Sequence, residues 1–157
     1  MRITSPAFTD QESIPATYTC DGENVNPPLE FHEIPSDAET LVMLMDDPDV
    51  PTSLKPDGMW DHWVVYNIDP AITGFAENAT PPGDIGKNSG GTLDYYGSCP
   101  PDREHRYFFK LFALDTKLEF ENPNEVTKQM VIDAMQGHII EQAELIGLYN
   151  RPQNLNK

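Results

Sequence analysis

Apolar positions follow two rhythms along the chain, and the rhythm changes near residue 127. Thr40 to Met45 (Thr-Leu-Val-Met-Leu-Met) is a short continuous apolar run stopped by Asp46-Asp47-Pro48, which reads as a buried strand closed by a turn. His62 to Ile68 is β-branched and aromatic. With Gly58 upstream and Asp69-Pro70 downstream, it reads as a second central strand. His105 to Asp115 alternates most clearly. His105, Tyr107, Phe109, Leu111 and Ala113 share one face, and Arg106, Phe108, Lys110, Phe112 and Leu114 share the other. Between these runs, Asp69 to Asp102 is rich in Gly, Pro, Asn and Ser, the kind of long irregular stretch that often carries function in a compact domain.

From Thr127 the spacing turns helical. Met130, Ala134 and His138 fall on one line, with Val131, Met135, Ile139 and Ala143 beside it. Thr127 is placed as an N-cap, and Val126 with Val131 as a hydrophobic staple. The pattern predicts a C-terminal helix between about Thr127 and Leu145, with Gly137 as a point of division. A last short strand is predicted at Ile146 to Tyr149. Strands first and helix last predict an antiparallel, mainly β domain spanning residues 1–157, not an alternating βαβ fold. The 15 prolines and 10 glycines agree, since they break long helices and favour short strands joined by turns.

Charge narrows the partners. Twenty-six acidic residues against 10 Lys and Arg give a formal net charge of −16, which repels nucleic acid and anionic membrane surfaces. No apolar run approaches the roughly 20 residues of a membrane span. Met1 to Pro6 shows no apolar signal region, so the expected location is cytoplasmic. The two cysteines, Cys20 and Cys99, form no CxxC pair, which argues against structural zinc. A cytoplasmic chain would keep them reduced, and the sequence leaves open whether they are neighbours in space.

Three polar clusters stand at predicted strand ends: Asp46-Asp47-Pro48-Asp49-Val50-Pro51, Trp60-Asp61-His62, and Pro100-Pro101 followed by His105-Arg106-Tyr107. Each has an ordinary reading. Asp-Pro-Asp is a turn sequence, a lone strand-end histidine is usually a satisfied structural group, and Pro-Pro is a stiff loop. Their ordered combination resembles the phosphatidylethanolamine-binding protein family, also called Raf kinase inhibitor-like proteins. Tyr18-Thr19-Cys20-Asp21-Gly22-Glu23-Asn24 and the stretch from Gly137-His138 to Ala143-Glu144-Leu145 resemble its prokaryotic branch. The resemblance implies a two-sheet antiparallel β-sandwich with a small anion pocket at one edge. Asp47, His62, His105 and Tyr107 would line that pocket, with Asp49 and Pro101 at its rim. It also implies a cis peptide at Val50–Pro51, a homodimer, and phosphate-bearing ligands or phospholipid headgroups, with kinases or other proteins as partners of some members.

The chemistry of such a pocket follows from its groups. Two imidazoles, a phenol and loop N–H groups supply the donors an anion needs. An ionised Asp47 repels a bare phosphate, so its roles are to orient a histidine or to meet a ligand's ammonium. Arg106 faces away from His105 and Tyr107 by strand alternation and is expected in a structural ion pair. The expectation is therefore a non-enzymatic binding protein without a cofactor. Two rivals remain: a small hydrolase using the Asp/His pocket, with Cys99 as nucleophile near His105, and a metal site of Asp47, Asp49, His62 and His105. The second does not fit an EF-hand, because Pro51 occupies a ligand position and no glycine follows. A third reading makes the negative charge itself the recognition element, selecting basic protein surfaces.

Overall fold

The computed structural model describes residues 1–156. Its strands are β1 (Arg2–Thr4), β2 (Leu29–His32), β3 (Thr40–Asp47), β4 (Trp60–Ile68), β5 (Gly74–Phe75), β6 (Asp84–Ile85), β7 (His105–Leu114) and β8 (Ile139–Tyr149). One helix, α1 (Lys128–Met135), lies between β7 and β8 in sequence. A three-stranded sheet has the order β1-β2-β5 and a five-stranded sheet the order β6-β4-β3-β7-β8, with every strand pair antiparallel.

Strand β3 lies at the centre of the larger sheet and is buried along its whole length. Both of its faces are covered, which is why its sequence runs apolar without alternation. Leu41, Met43 and Met45 join Trp63, Val65, Tyr107, Phe109, Leu111 and Phe31 in the core between the sheets. Val42 and Leu44 join Val64, Tyr66, Leu114, Val131 and Met135 in a second core beneath α1. Burial in β7 alternates as the sequence indicates, with His105, Tyr107, Phe109, Leu111 and Ala113 inward.

The C-terminal region departs from expectation. The helix stops at Met135, and residues 139–149 form β8, paired with the whole of β7 from His105↔Tyr149 to Leu114↔Ile139. Thr127 does cap α1, its hydroxyl accepting from the Met130 N–H at 3.3 Å. Gly137 adopts φ +82°, a left-handed conformation that ends the helix and that glycine adopts without strain. The helical spacing continues past it in the sequence, but a bulge in β8 sets Ile139 opposite Leu114 and lets Ile140 join Ala143 against the core between the sheets. The dihedral at Gly137 and the β7 partner decided between the two periods.

Candidate functional site

The clusters at the ends of β3, β4 and β7 meet around a cavity of about 260 Å³ lined by Asp47, Trp60, His62, Cys99, Pro101 and Tyr107, with Val50, Leu54, Lys55 and Tyr96 completing it. Backbone irregularity makes this possible. Met45 pairs with Trp63 but Asp46 pairs with Asp61, so His62 is an extra residue on β4, a β-bulge. The bulge shifts parity, and Trp60 comes opposite Asp47 and shares its face. Strict alternation from Trp63 would have aimed Trp60 at the other side of the sheet.

The neighbouring carboxylates Asp46 and Asp47 separate to opposite faces. Asp46 is buried with Lys110 Nζ at 3.0 Å and Lys128 Nζ at 3.1 Å, and Lys128 also reaches Asp61 at 2.7 Å. That cluster ties α1 to the sheet. Asp47 turns to the cavity side, where its Oδ2 lies 2.7 Å from His105 Nδ1. Its Oδ1 accepts from the Asp49 N–H at 2.8 Å, which turns the chain directly after β3. Further bonds from Leu54 and Lys55 N–H to the Pro51 carbonyl close the loop. The turn is complete with a trans Val50–Pro51 bond, since the described residues contain no cis peptide. The cis bond implied by the resemblance is therefore corrected.

His105 does not line the cavity. It is fully buried, with its second nitrogen 2.7 Å from Asp102 Oδ1. A ring that meets a carboxylate at each nitrogen donates twice and is an imidazolium. Burial opposes that charge, but the hydrogen bonds and charges of Asp47, then of Asp102, hold its pKa above the ordinary value. Asp49 also turns away from the cavity. It accepts from the Arg106 N–H at 2.9 Å and from Arg106 Nε and Nη2 at 3.0 and 2.8 Å. This fork, above all its side-chain bonds, holds the Asp49 carboxyl below the usual range. The structural ion pair expected of Arg106 is present, and Asp49 is its other half. With Asp49 so placed, the metal set considered from the sequence is not assembled.

His62 has the opposite character. Its Nδ1 donates to the Tyr96 carbonyl at 2.5 Å, which leaves Nε2 for the cavity that the ring lines. Burial pushes its pKa below the ordinary value, although the Tyr96 carbonyl and nearby aspartates pull the other way. Tyr107 packs edge-on to His62, ring centroids 5.3 Å apart. Burial first, and the charge of Asp47 second, push the Tyr107 phenol far up, so it remains a protonated donor. Trp60 Nε1 is buried without a hydrogen-bond partner among the described residues, and the buried Tyr107 hydroxyl makes no hydrogen bond of good geometry, interacting with the Asp47 carboxylate and the Cys99 backbone. Among the described residues Lys55 is the one cation on the cavity wall, its Nζ held 2.8 and 2.9 Å from the Asp57 carboxylate. Sequence reasoning missed Lys55, because nothing marks it within a polar loop. It also passed over Trp60, although that residue stands in the quoted motif.

The thiols expected in a reduced cytoplasmic chain are instead joined: Cys20 and Cys99 form a disulfide, 79 positions apart in sequence. The bond removes Cys99 as a free nucleophile beside His105.

A family model described as phosphatidylethanolamine-binding protein matches residues 4–150. The chain belongs to that family. A UPF0098 protein of Chlamydia pneumoniae is 47% identical over 151 residues, covering 96% of this chain and 99% of the relative. One from Methanothermobacter thermautotrophicus is 46% identical over 157 residues, with the same coverage. The crystal structure of CT736, a phosphatidylethanolamine-binding protein homologue from Chlamydia trachomatis, superposes with a TM-score of 0.91 at 44% identity, covering 96% of this chain and 97% of its own. Escherichia coli YbcL, described as a new member of the mammalian family, superposes at 0.84 with 26% identity, covering 96% and 98%. Family membership supports a binding-protein role. Among the described residues no helix is long and apolar enough to cross a membrane.

In this family member the two buried imidazoles respond oppositely to pH. The folded pKa of His105 is raised, so its contribution to stability is complete below about pH 6.5, the unfolded value, and is lost as pH rises through the folded value. The folded pKa of His62 is lowered. Stability is therefore lost as pH falls below about 6.5, where the unfolded ring takes a proton that the folded ring refuses. NMR titration of the ring carbons is expected to place the His105 midpoint above 6.5 and that of His62 below it. The reverse order would contradict the assigned charge states.

Proposed function

We propose that this chain is a non-catalytic binding protein whose cavity takes a phosphate-bearing group, free or on a small ligand or lipid headgroup. One observation carries the reading: two buried donors, Trp60 Nε1 and the Tyr107 hydroxyl, belong to side chains lining the same cavity, the indole without an acceptor among the described residues and the phenol beside the Asp47 carboxylate without a hydrogen bond of good geometry. A buried donor without an acceptor costs about 1–3 kcal/mol, and an anion's oxygens recover that cost. Lys55, on the same wall, adds a cation within reach of the ligand when it leaves Asp57. The rest of the site tempers affinity. His105 is already spent between two carboxylates, and the net charge of −16 opposes anion entry. Binding at neutral pH is therefore modest and improves with salt screening.

The His62 ring, neutral by burial, supplies the pH dependence. A bound anion favours the imidazolium and raises the ring's pKa, so affinity increases as pH falls. Calorimetric titration with inorganic phosphate and with phosphoethanolamine, at pH 6 and pH 8, tests this. Binding of both, tighter at pH 6, is expected. No heat at either pH would remove the anion reading, and equal affinities would remove His62 from it. Phosphoethanolamine binding appreciably tighter than phosphate would favour a headgroup ligand.

A further inference from the structure

The segment that closes the cavity is stapled at one point. Residues 95–102 bring Tyr96, Cys99 and Pro101 to its wall and Asp102 to His105. Cys99 is joined to Cys20, which lies just after a short turn at Ala16–Tyr18 in a loop that runs beside this segment. The two cysteines differ in access: Cys20 is exposed, while Cys99 is only partly exposed and lines the cavity. We propose that this disulfide is a redox gate on the anion cavity, opened by a thiol reductant through Cys20 and weakening anion binding when open. The proposal rests on the anion reading above and adds its regulation.

The chemistry needs only a dithiol. Its thiolate attacks the sulfur of Cys20, the more exposed residue, the Cys20–Cys99 bond breaks, and the electron pair leaves on Cys99, which takes up a proton. The second thiol of the reductant then displaces Cys20, which leaves as a thiolate and is protonated, and the reductant departs as a disulfide. Two electrons and two protons pass to the protein. Exposed disulfides are the ones most open to this exchange.

Two physical effects follow at the cavity. The tether between the two loops is lost. What remains are hydrogen bonds: across to the other loop, Cys20 N–H to the Ser98 carbonyl at 3.1 Å and the Tyr95 hydroxyl to the Tyr18 carbonyl at 2.6 Å, and within the sandwich the Tyr96 N–H to the His62 carbonyl at 2.9 Å, His62 Nδ1 to the Tyr96 carbonyl, Asp102 to His105, and the Asn154 side-chain amide to the Pro100 carbonyl at 2.9 Å. These keep the segment in place but allow it more motion. In addition, a thiol now stands on the wall of an anion site. With a thiol pKa near 8.5, it becomes a second repelling charge in mild alkali.

Phosphate titrations of the oxidised chain, of the dithiothreitol-reduced chain and of a Cys20→Ser/Cys99→Ser double variant test the gate. Reduction is expected to weaken phosphate binding at least about fivefold, the low end of coupling between linked sites, and reoxidation to restore it. The double variant should match the reduced chain at pH 7 and escape its further loss of affinity above about pH 8.5. Equal affinity in the oxidised and reduced chains would overturn the gate and leave the anion reading standing. Hydrogen exchange provides a readout that needs no ligand. Reduction should accelerate amide exchange across 95–102 more than in β3, and unchanged exchange there would overturn the gate even if phosphate does not bind. Faster exchange with no phosphate binding by either form would overturn the anion reading, and with it the gate as a control of that site.

Discussion

Replacing Tyr107 with Phe is expected to weaken phosphate binding by about 10- to 100-fold while leaving the fold at least as stable. The two effects have one origin. The hydroxyl is buried without a hydrogen bond of good geometry, beside the Asp47 carboxylate and the Cys99 backbone, so its removal costs the fold nothing measurable and leaves the ring packed against His62. A hydrogen bond to a charged acceptor contributes about 1.5–3 kcal/mol, which corresponds to that loss of affinity. Trp60→Phe should behave similarly, because Trp60 Nε1 is buried without a hydrogen-bond partner among the described residues. Calorimetry with phosphate, alongside urea unfolding, measures both quantities. A Tyr107→Phe chain that is destabilised by more than about 1 kcal/mol and binds phosphate unchanged would show that the hydroxyl serves the fold and not the ligand.

Asp47→Ala should act on the fold. Its carboxylate is almost wholly buried against the fully buried His105 imidazolium, at 2.7 Å. Removing Asp47 leaves the buried imidazolium with the partly exposed Asp102 as its remaining partner and one ring N–H without an acceptor, at a cost of about 1.5–3 kcal/mol. The Asp49 N–H loses its acceptor as well, and the turn after β3 loosens. Asp49→Ala is the control. Arg106 is about half exposed, with a side-chain relative exposure of 53%, so this pair is worth only about 1 kcal/mol. Urea unfolding at pH 6, where His105 is charged, gives both values. Equal costs for the two variants would mean that the buried pair is not the stabilising one. The same reasoning applies to His105→Ala, whose primary effect should be a loss of stability, because the ring is locked between two carboxylates and does not face the ligand.

These expectations differ from what the sequence suggests for the same residues, and the reasons are local. Motif order placed Asp47, His62, Pro101 and Tyr107 together, and the structure brings all four to one cavity wall. It also grouped His105 and Asp49 with them. A sequence shows which donors and acceptors are near a strand end, but not which of them have already found each other. Asp102 and Arg106 remove His105 and Asp49 from the wall through contacts within three residues of His105 and across 57 positions respectively. Lys55 enters from a loop with no periodicity to mark it. Trp60 enters because of a bulge at His62, and a bulge leaves no trace in a strand of β-branched and aromatic residues.

What the sequence by itself determined was the three central strands, β3, β4 and β7, and the faces of β7. Period-2 burial along β7 and the uninterrupted apolar run of β3 are direct consequences of which faces are covered, and covering is a property of side-chain type. Proline and glycine density fixed a chain of short strands and turns, and the charge balance fixed the field an incoming anion meets. Tertiary structure alone decided three things. It chose strand over helix for residues 139–149, because β7 offered a full-length partner and Gly137 a left-handed stop. It joined Cys20 to Cys99, because the chain folds back over a separation of 79 positions to place them 5.5 Å apart between Cα atoms. And it separated Asp46 from Asp47, sending one carboxylate to two lysines and the other to a histidine beside the cavity, because successive strand residues face opposite layers with different partners in each.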